Sequence, residues 1–180
     1  MNKNIYYNYI ESFNNFPKEN VIFWDFTPLT DNFEIFDKAI SDIAEHYLNK
    51  NITKVVAIES KGFIIGSALA CKLKKSLVLI RKPGLIPGEI LSETFVKEYG
   101  LGEYQMKKGV LTKSDNVLII YDILAGCGAT RAAINLVEKN SAKVAGCAFI
   151  IELEYLKGRE ELNEYNLYSL VKISDKVMKN

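Results

Sequence analysis

An α/β domain, with a mainly parallel central sheet flanked by helices, is the fold class this sequence predicts, and three observations predict it. Apolar runs of strand length recur along the chain, at Lys54 to Ile58, Ser76 to Ile80, Val117 to Ile120 and Lys143 to Leu153. Helical patterns separate them, in the order helix, strand, turn, helix, strand that parallel neighbours joined by crossovers require. Composition agrees, since 48% hydrophobic and 25% charged residues are ordinary globular usage. A chain of 180 residues buries one good core, so residues 1–180 are expected to form a single domain.

In chain order, Ile5, Tyr9, Ile10 and Phe13 suggest a short N-terminal helix that ends before Pro17. Val21 to Thr27 is a short apolar segment closed by Pro28, and its tryptophan, Trp24, is either a stacking surface or a core aromatic. Asp31 and Glu34 read as a capping box ahead of an amphipathic helix that carries Phe33, Phe36, Ile40, Ile43, Ala44 and Tyr47 and runs to about Asn49. The strand Lys54 to Ile58 then passes through the turn Glu59-Ser60-Lys61-Gly62 into a second helix, and the strand Ser76 to Ile80 ends at Arg81-Lys82.

From Pro83 to Tyr104 the periodicity breaks down, and a stretch of that length inside a compact domain reads as a lid or a hairpin excursion. Tyr104 to Leu111 returns as a strand, and Lys113 to Asn116 turns into the strand Val117 to Ile120. After it come Tyr121-Asp122, a small-residue loop and an Ala-rich helix. Lys143 to Leu153 is a long buried strand, Leu156 to Leu162 a short helix and Tyr168 to Ile173 a last strand.

A net charge of +1 excludes a broad electrostatic appeal to nucleic acid or anionic membrane, so any anion site must be local. The cysteines, Cys71, Cys127 and Cys147, are odd in number and far apart, which suits reduced thiols, and no metal-ligand spacing is present. The N-terminus lacks the apolar core of a signal peptide, and no apolar run reaches membrane-spanning length, so a soluble, cytoplasmic protein is expected. The single histidine, His46, lies in a charged helix and is expected to be solvated.

Parallel sheets bind ligands outside the carboxyl ends of their strands, where the Glu59 to Gly62 turn, Arg81-Lys82 and the Tyr121 to Ala129 loop all fall. Small residues let the backbone of Ala125-Gly126-Cys127-Gly128-Ala129 approach a ligand, and the helix start that follows favours an anion such as a phosphate. The loop matches neither G-x-G-x-x-G nor the P-loop pattern. Asp122 is placed to accept hydrogen bonds from sugar hydroxyls.

Six segments in order carry a resemblance: F-P-K-E-N-V-I-F-W-D-F-T-P-L, E-S-K-G-F, I-R-K-P-G-L-I-P-G, S-E-T-F-V-K-E-Y-G, Y-D-I-L-A-G-C-G-A-T and I-I-E-L-E-Y-L-K-G-R-E-E-L. From about Tyr9 to Ile173 the chain resembles the type I phosphoribosyltransferase family, in its adenine phosphoribosyltransferase branch. The resemblance implies transfer of 5-phosphoribose from phosphoribosyl pyrophosphate to N9 of adenine, giving AMP and pyrophosphate, as in purine salvage. It implies Mg2+ held mainly through the pyrophosphate, and a homodimer. Lys61, Arg81, Lys82 and Tyr99 then match donor-binding positions, Asp122 the ribose acid, and Ala125, Gly126, Cys127, Gly128, Ala129 and Thr130 the 5′-phosphate cradle. Residues 83–104 match a flexible hood, within which Glu98 matches the catalytic acid near N7 of adenine. The main chain of Ile22 to Trp24 matches the part that reads the adenine edge, with Phe23 and Trp24 near the ring.

The departures cluster at the centre. Tyr121 stands for the first acid of the family's ribose pair, Gly126 and Ala129 for two threonines, Cys127 for a glycine, Lys61 for an arginine and Trp24 for an arginine. Each lost hydrogen bond to a charged group costs roughly 1.5–3 kcal/mol unless something compensates. A catalytically weak paralogue serving as a nucleotide-binding or regulatory module, and a transferase for another nucleobase, are the alternative expectations.

Overall fold

The computed structural model describes residues 4–96 and 100–174. A 3-10 turn at Ile5–Tyr9 leads into a two-stranded antiparallel ribbon, β1 (Glu11–Asn14) and β2 (Ile22–Asp25), in which Phe13 faces Phe23. The expected N-terminal helix is therefore only one turn. Ile10 is extended, and the residues beyond it satisfy their backbone across the ribbon instead. The one-turn helix α1 (Thr27–Thr30) and α2 (Phe33–His46) follow. Asn32, not Asp31, caps α2, its side-chain oxygen accepting the Ile35 N–H at 3.1 Å. The helix ends three residues before Asn49.

The main sheet has the order β4-β3-β7-β8-β9 and is parallel throughout. Its strands are β3 (Lys54–Ile58), β4 (Ser76–Ile80), β7 (Asn116–Leu124), β8 (Lys143–Leu153) and β9 (Leu167–Ile173). Helices α3 (Lys61–Leu73) and α4 (Gly128–Lys139) make crossovers. Val55 and Ala57 point to one face with Leu118 and Ile120, against α2 and α3, while Val56 and Ile58 point to the other with Val117 and Ile119, against α4. Apolar residues on both faces of β3 and β7 are what a sheet covered on both sides demands, and they explain the unbroken apolar runs in the sequence. At Gly66 an added Cβ would sit 2.6 Å from the Ala57 Cβ, so α3 reaches the sheet only because that position has no side chain.

Two boundaries differ where ligand chemistry was expected. Strand β7 continues past Ile120 to Leu124, so Tyr121 and Asp122 lie inside it, paired to β8 through Tyr121–Phe149 and Ile123–Ile151. The expected helix at Leu156 to Leu162 is instead two 3-10 turns, Glu154–Leu156 and Glu160–Leu162, with Lys157 in the left-handed region between them. Residues 83–104 hold β5 (Ile90–Val96) and the first half of β6 (Leu101–Lys107), a hairpin excursion that packs along α4, so the strand expected from Tyr104 to Leu111 starts and ends earlier than its apolar pattern implied. Asn135 donates to Glu93 at 3.1 Å and Lys139 forms an ion pair with it. His46 is exposed as expected, and its ring stacks on Tyr168 at 4.3 Å.

Candidate functional site

The carboxyl ends of β3, β4, β7 and β8 open onto one crevice with two chambers. The first, about 370 Å³, is lined by Val21 to Trp24, Glu59 to Lys61, Lys82, Glu103, Tyr104, Tyr121 to Ile123 and Leu153. The second, about 390 Å³, is lined by Phe95, Val96, Tyr104, Tyr121, Ile123, Ala125, Gly126, Gly128 to Thr130 and Leu156. Three side chains, Tyr104, Tyr121 and Ile123, belong to both.

Lys61 is the first residue of α3 and enters from the β3 turn, whose Glu59–Ser60 peptide is cis. Its Nζ is 3.2 Å from the Asp25 carboxylate, 4.5 Å above the Phe23 ring and 5.5 Å above the Phe26 ring. Burial raises the pKa of Asp25, but the Thr27 hydroxyl and N–H, with Lys61, outweigh it and hold the carboxyl below its usual range. The cation of Lys61 is thus kept on the β2 side of the first chamber, over aromatic faces. Phe23 and Ile22 are half-buried at the same wall. Trp24 is 4% exposed and packs into the core, and its Nε1–H has no hydrogen-bond partner.

Glu59 organises the next loop, and the sequence reading gave it no role. The Arg81 Nε and the Lys82 main-chain N–H both donate to its Oε2, at 3.3 and 2.9 Å. Arg81 also donates to the Leu85 carbonyl at 3.0 Å, and its main chain pairs with Gln105 in both directions. These bonds carry the two neighbouring cations apart. Lys82 lines the first chamber, while Arg81 lines a groove of about 300 Å³ beside the edge strand β4, with Leu77, Leu79 and Leu85. The signal that could have found Glu59 is an acid at the end of a parallel strand, ahead of a turn.

Asp122 sits near the end of β7, and its Oδ1 is buried with no partner. Burial pushes its pKa above the ordinary carboxylate range, against the downward pull of Lys61 and of the Asp122 and Ile123 main-chain N–H groups. A buried carboxylate oxygen without a donor is costly, and hydroxyl groups arriving in the first chamber would satisfy it.

The second chamber ends at the N-terminus of α4. The opening N–H groups of a helix have no intrahelical acceptor, and the helix dipole adds to their attraction for an anion. Cys127 is the N-cap and accepts the Arg131 N–H at 2.8 Å. Its thiol donates to Glu161 at 2.9 Å, and burial followed by Glu161 pushes its pKa up, so it stays a neutral thiol. Gly126 is exposed to the chamber, Thr130 is 1% exposed, and a Cβ on Gly128 would lie 2.7 Å from the Val96 carbonyl of the hairpin. From below, a Cβ on Gly158 would lie 2.2 Å from the Ala125 carbonyl. Arg131 ties the same lower segment by donating to Glu164 and to the Glu161 carbonyl, both at 2.6 Å. Segment L-K-G-R-E-E-L is therefore the floor on which the small-residue loop rests.

The crevice thus gathers Ile22, Phe23, the Trp24 backbone segment, Lys61, Lys82, Asp122 and most of the 125–130 loop, and leaves Arg81 to one side. Glu98 and Tyr99 lie outside the described residues. Among the described residues, no group of three or more His, Cys, Asp or Glu side chains could hold a metal, and no helix is long and apolar enough to cross a membrane.

Comparison with known proteins adds independent findings. Residues 28–179 match the phosphoribosyl transferase domain. The chain is 39% identical over 163 residues to the adenine phosphoribosyltransferase of Koribacter versatilis, covering 91% of this chain and 90% of that protein. It is likewise 39% identical over 163 residues to the adenine phosphoribosyltransferase of Halothermothrix orenii, covering 91% and 96%. Among solved structures, adenine phosphoribosyltransferase from Thermoanaerobacter pseudethanolicus superposes with a TM-score of 0.90 at 32% identity, covering 93% of this chain and 98% of that one. The Saccharomyces cerevisiae enzyme, solved with an imino-altritol bisphosphate and adenine, gives 0.85 at 35% identity, covering 92% and 96%. A strand-end crevice with a small-residue loop at a helix N-terminus, found in a chain this similar to these proteins along nearly its whole length, places the protein in the phosphoribosyltransferase family, in its adenine phosphoribosyltransferase branch.

Proposed function

We propose that the chain transfers 5-phosphoribose from phosphoribosyl pyrophosphate to adenine, giving AMP and pyrophosphate. The observation that carries this reading is the pair of adjoining chambers: a small-residue cradle at the α4 N-terminus and, sharing Tyr104, Tyr121 and Ile123 with it, a half-aromatic chamber holding Asp122, Lys61 and Lys82. A 5′-phosphate on the main chain of residues 125–130 puts the ribose against Asp122 and the base against β2. The main chain of Ile22 to Trp24 then reads the adenine edge beside Phe23. Strand β2 belongs to a two-stranded ribbon with β1, which leaves it an edge for this purpose.

Bond breaking at the anomeric carbon leaves a ribosyl cation-like centre and a diphosphate, so cations at the diphosphate lower the barrier. Lys82, its main chain anchored on Glu59, lines the chamber, and Lys61 reaches the diphosphate by exchanging Asp25 for it. Arg81 is proposed as a donor contact on resemblance. Asp122 fits a ribose bound with Mg2+, since its Oδ1 is buried and unpartnered. A single carboxylate there does not make a closed metal site, which fits an ion carried mainly by the diphosphate; when bound, the ion neutralises the leaving group. Glu98, in the segment joining β5 to β6, is proposed to exchange a proton with N7 of adenine, with Tyr99 beside the donor. The hairpin is proposed to act as the hood that keeps water from the activated ribose. A homodimer is also proposed, supported by exposed Leu79 and Leu85 at the edge strand β4, and a cytoplasmic location.

The test is pyrophosphate release from phosphoribosyl pyrophosphate and Mg2+ with adenine, hypoxanthine, guanine and xanthine in parallel, with the nucleotide identified. AMP formation that depends on adenine is the expected result. Turnover only with another base would reassign the substrate, and AMP binding without turnover would identify a nucleotide-binding module.

A further inference from the structure

The two chambers meet at a pair of phenols, Tyr121 from β7 and Tyr104 from β6, and Tyr104 O–H donates to the Tyr121 oxygen at 3.2 Å. Each phenol has one hydrogen to give. Tyr104 spends its hydrogen on Tyr121, which leaves the Tyr121 O–H as the donor facing the space the chambers share. Tyr104 is itself 5% exposed and packs against Phe95, with ring centroids 4.6 Å apart. The Gly62 backbone lies against the other phenol, since a Cβ there would come within 3.5 Å of the Tyr121 ring. Two packed rings on opposite elements therefore fix the hydroxyl of Tyr121. Burial keeps both phenols protonated, because it pushes their pKa values upward.

Resting on the proposed transfer reaction, we infer that the Tyr121 hydroxyl donates a hydrogen bond to a ribosyl oxygen of the 5-phosphoribosyl group, and that Tyr104 is the positioning residue that aims it. A molecule with its phosphate on the α4 cradle and its base against β2 must lay its sugar across this waist, beside Asp122. The phenol donates where a carboxylate would accept, so the ribose meets one acceptor, Asp122, and one donor, Tyr121. Because Tyr104 comes from the hairpin, the donor is aimed only while the hairpin is docked on α4.

The test is calorimetric titration of ribose 5-phosphate and, separately, inorganic phosphate into wild type, Tyr121→Phe, Tyr104→Phe and the double variant, with thermal unfolding as a check on folding. Tyr121→Phe is expected to weaken ribose 5-phosphate about three- to tenfold, the range for one uncharged hydrogen bond, and to leave inorganic phosphate within about twofold. Tyr104→Phe is expected to show the same pattern to a smaller extent, and the double variant to match Tyr121→Phe. Unchanged ribose 5-phosphate affinity in Tyr121→Phe overturns the contact, and an equal loss for both ligands overturns it in favour of a distorted cradle. Strictly additive losses overturn the positioning role of Tyr104. If wild type prefers ribose 5-phosphate no more than inorganic phosphate and makes no AMP, the transfer reading fails as well; if wild type makes AMP while Tyr121→Phe is silent, only this inference fails.

Discussion

On the proposed binding mode, Asp122 trades stability for binding. Its pKa is raised by burial, so its favourable contribution to folding is present below the unfolded carboxylate pKa and is lost as pH rises through the folded value. Asp122→Asn is therefore expected to stabilise the ligand-free protein at neutral pH, seen as a rise in the unfolding temperature. The gain over wild type should shrink as pH falls toward the ordinary carboxylate range, and thermal unfolding at falling pH checks it. The same variant should lose donor affinity at least about tenfold, since an amide is a poorer acceptor for ribosyl hydroxyls than a carboxylate. Glu98→Ala is expected to lower kcat by about 10²-fold with donor binding little changed, as measured by steady-state kinetics beside calorimetric titration; equal loss of donor binding would remove the proposed proton role. Residues with polar chemistry at strand ends were legible in the sequence, as Asp122 and Lys82 attest. Glu59 was not singled out, because nothing in E-S-K-G tells that its carboxylate faces back to β4 rather than out to substrate. Arg81 and Lys82 are adjacent in sequence, and only the Glu59 and Leu85 bonds reveal that they part.

At the scale of elements, the small-residue loop depends on Gly158, 33 residues further along the chain than Ala125. Gly158→Ala would force a methyl group against the Ala125 carbonyl, now 2.2 Å from where that carbon must go. The cradle must shift, and ribose 5-phosphate affinity is expected to fall by about tenfold or more while the fold persists, which calorimetry with a circular dichroism control would measure. Strands β4 and β8 were predicted to the residue because their apolar runs are bounded by turn chemistry on both sides. Strand β7 was predicted four residues short at its carboxyl end and one at its amino end, since Tyr121-Asp122 interrupts the apolar run while β8 still offers it a hydrogen-bonding partner. The cap of α2 was misplaced by one residue because Asp31 and Asn32 are both good caps, and only the backbone decides between them. The N-terminal pattern of Ile5, Tyr9 and Phe13 mimicked a helix, yet pairing with β2 won, a tertiary contact that local spacing does not encode.

For the whole molecule, the consequence of two adjoining chambers is chelation. On the proposed binding mode, adenine alone fills one and inorganic phosphate the other, whereas AMP engages both with the entropy of association lost only once. At a concentration about 100 times its Kd, AMP is expected to stabilise the protein by about 2.7 kcal/mol and raise the unfolding temperature by several degrees, as seen in a thermal scan. The α/β class and the strand-end placement of the crevice followed from hydrophobic patterning, since β3 and β7 carry apolar residues on both faces. The division of the crevice did not, because Tyr104 and Tyr121 are 17 residues apart and on different sheets. Their meeting gives the site a ruler. Two ligands that each fit one chamber do not bridge it, so on the proposed binding mode the sugar between base and phosphate sets the length that is read.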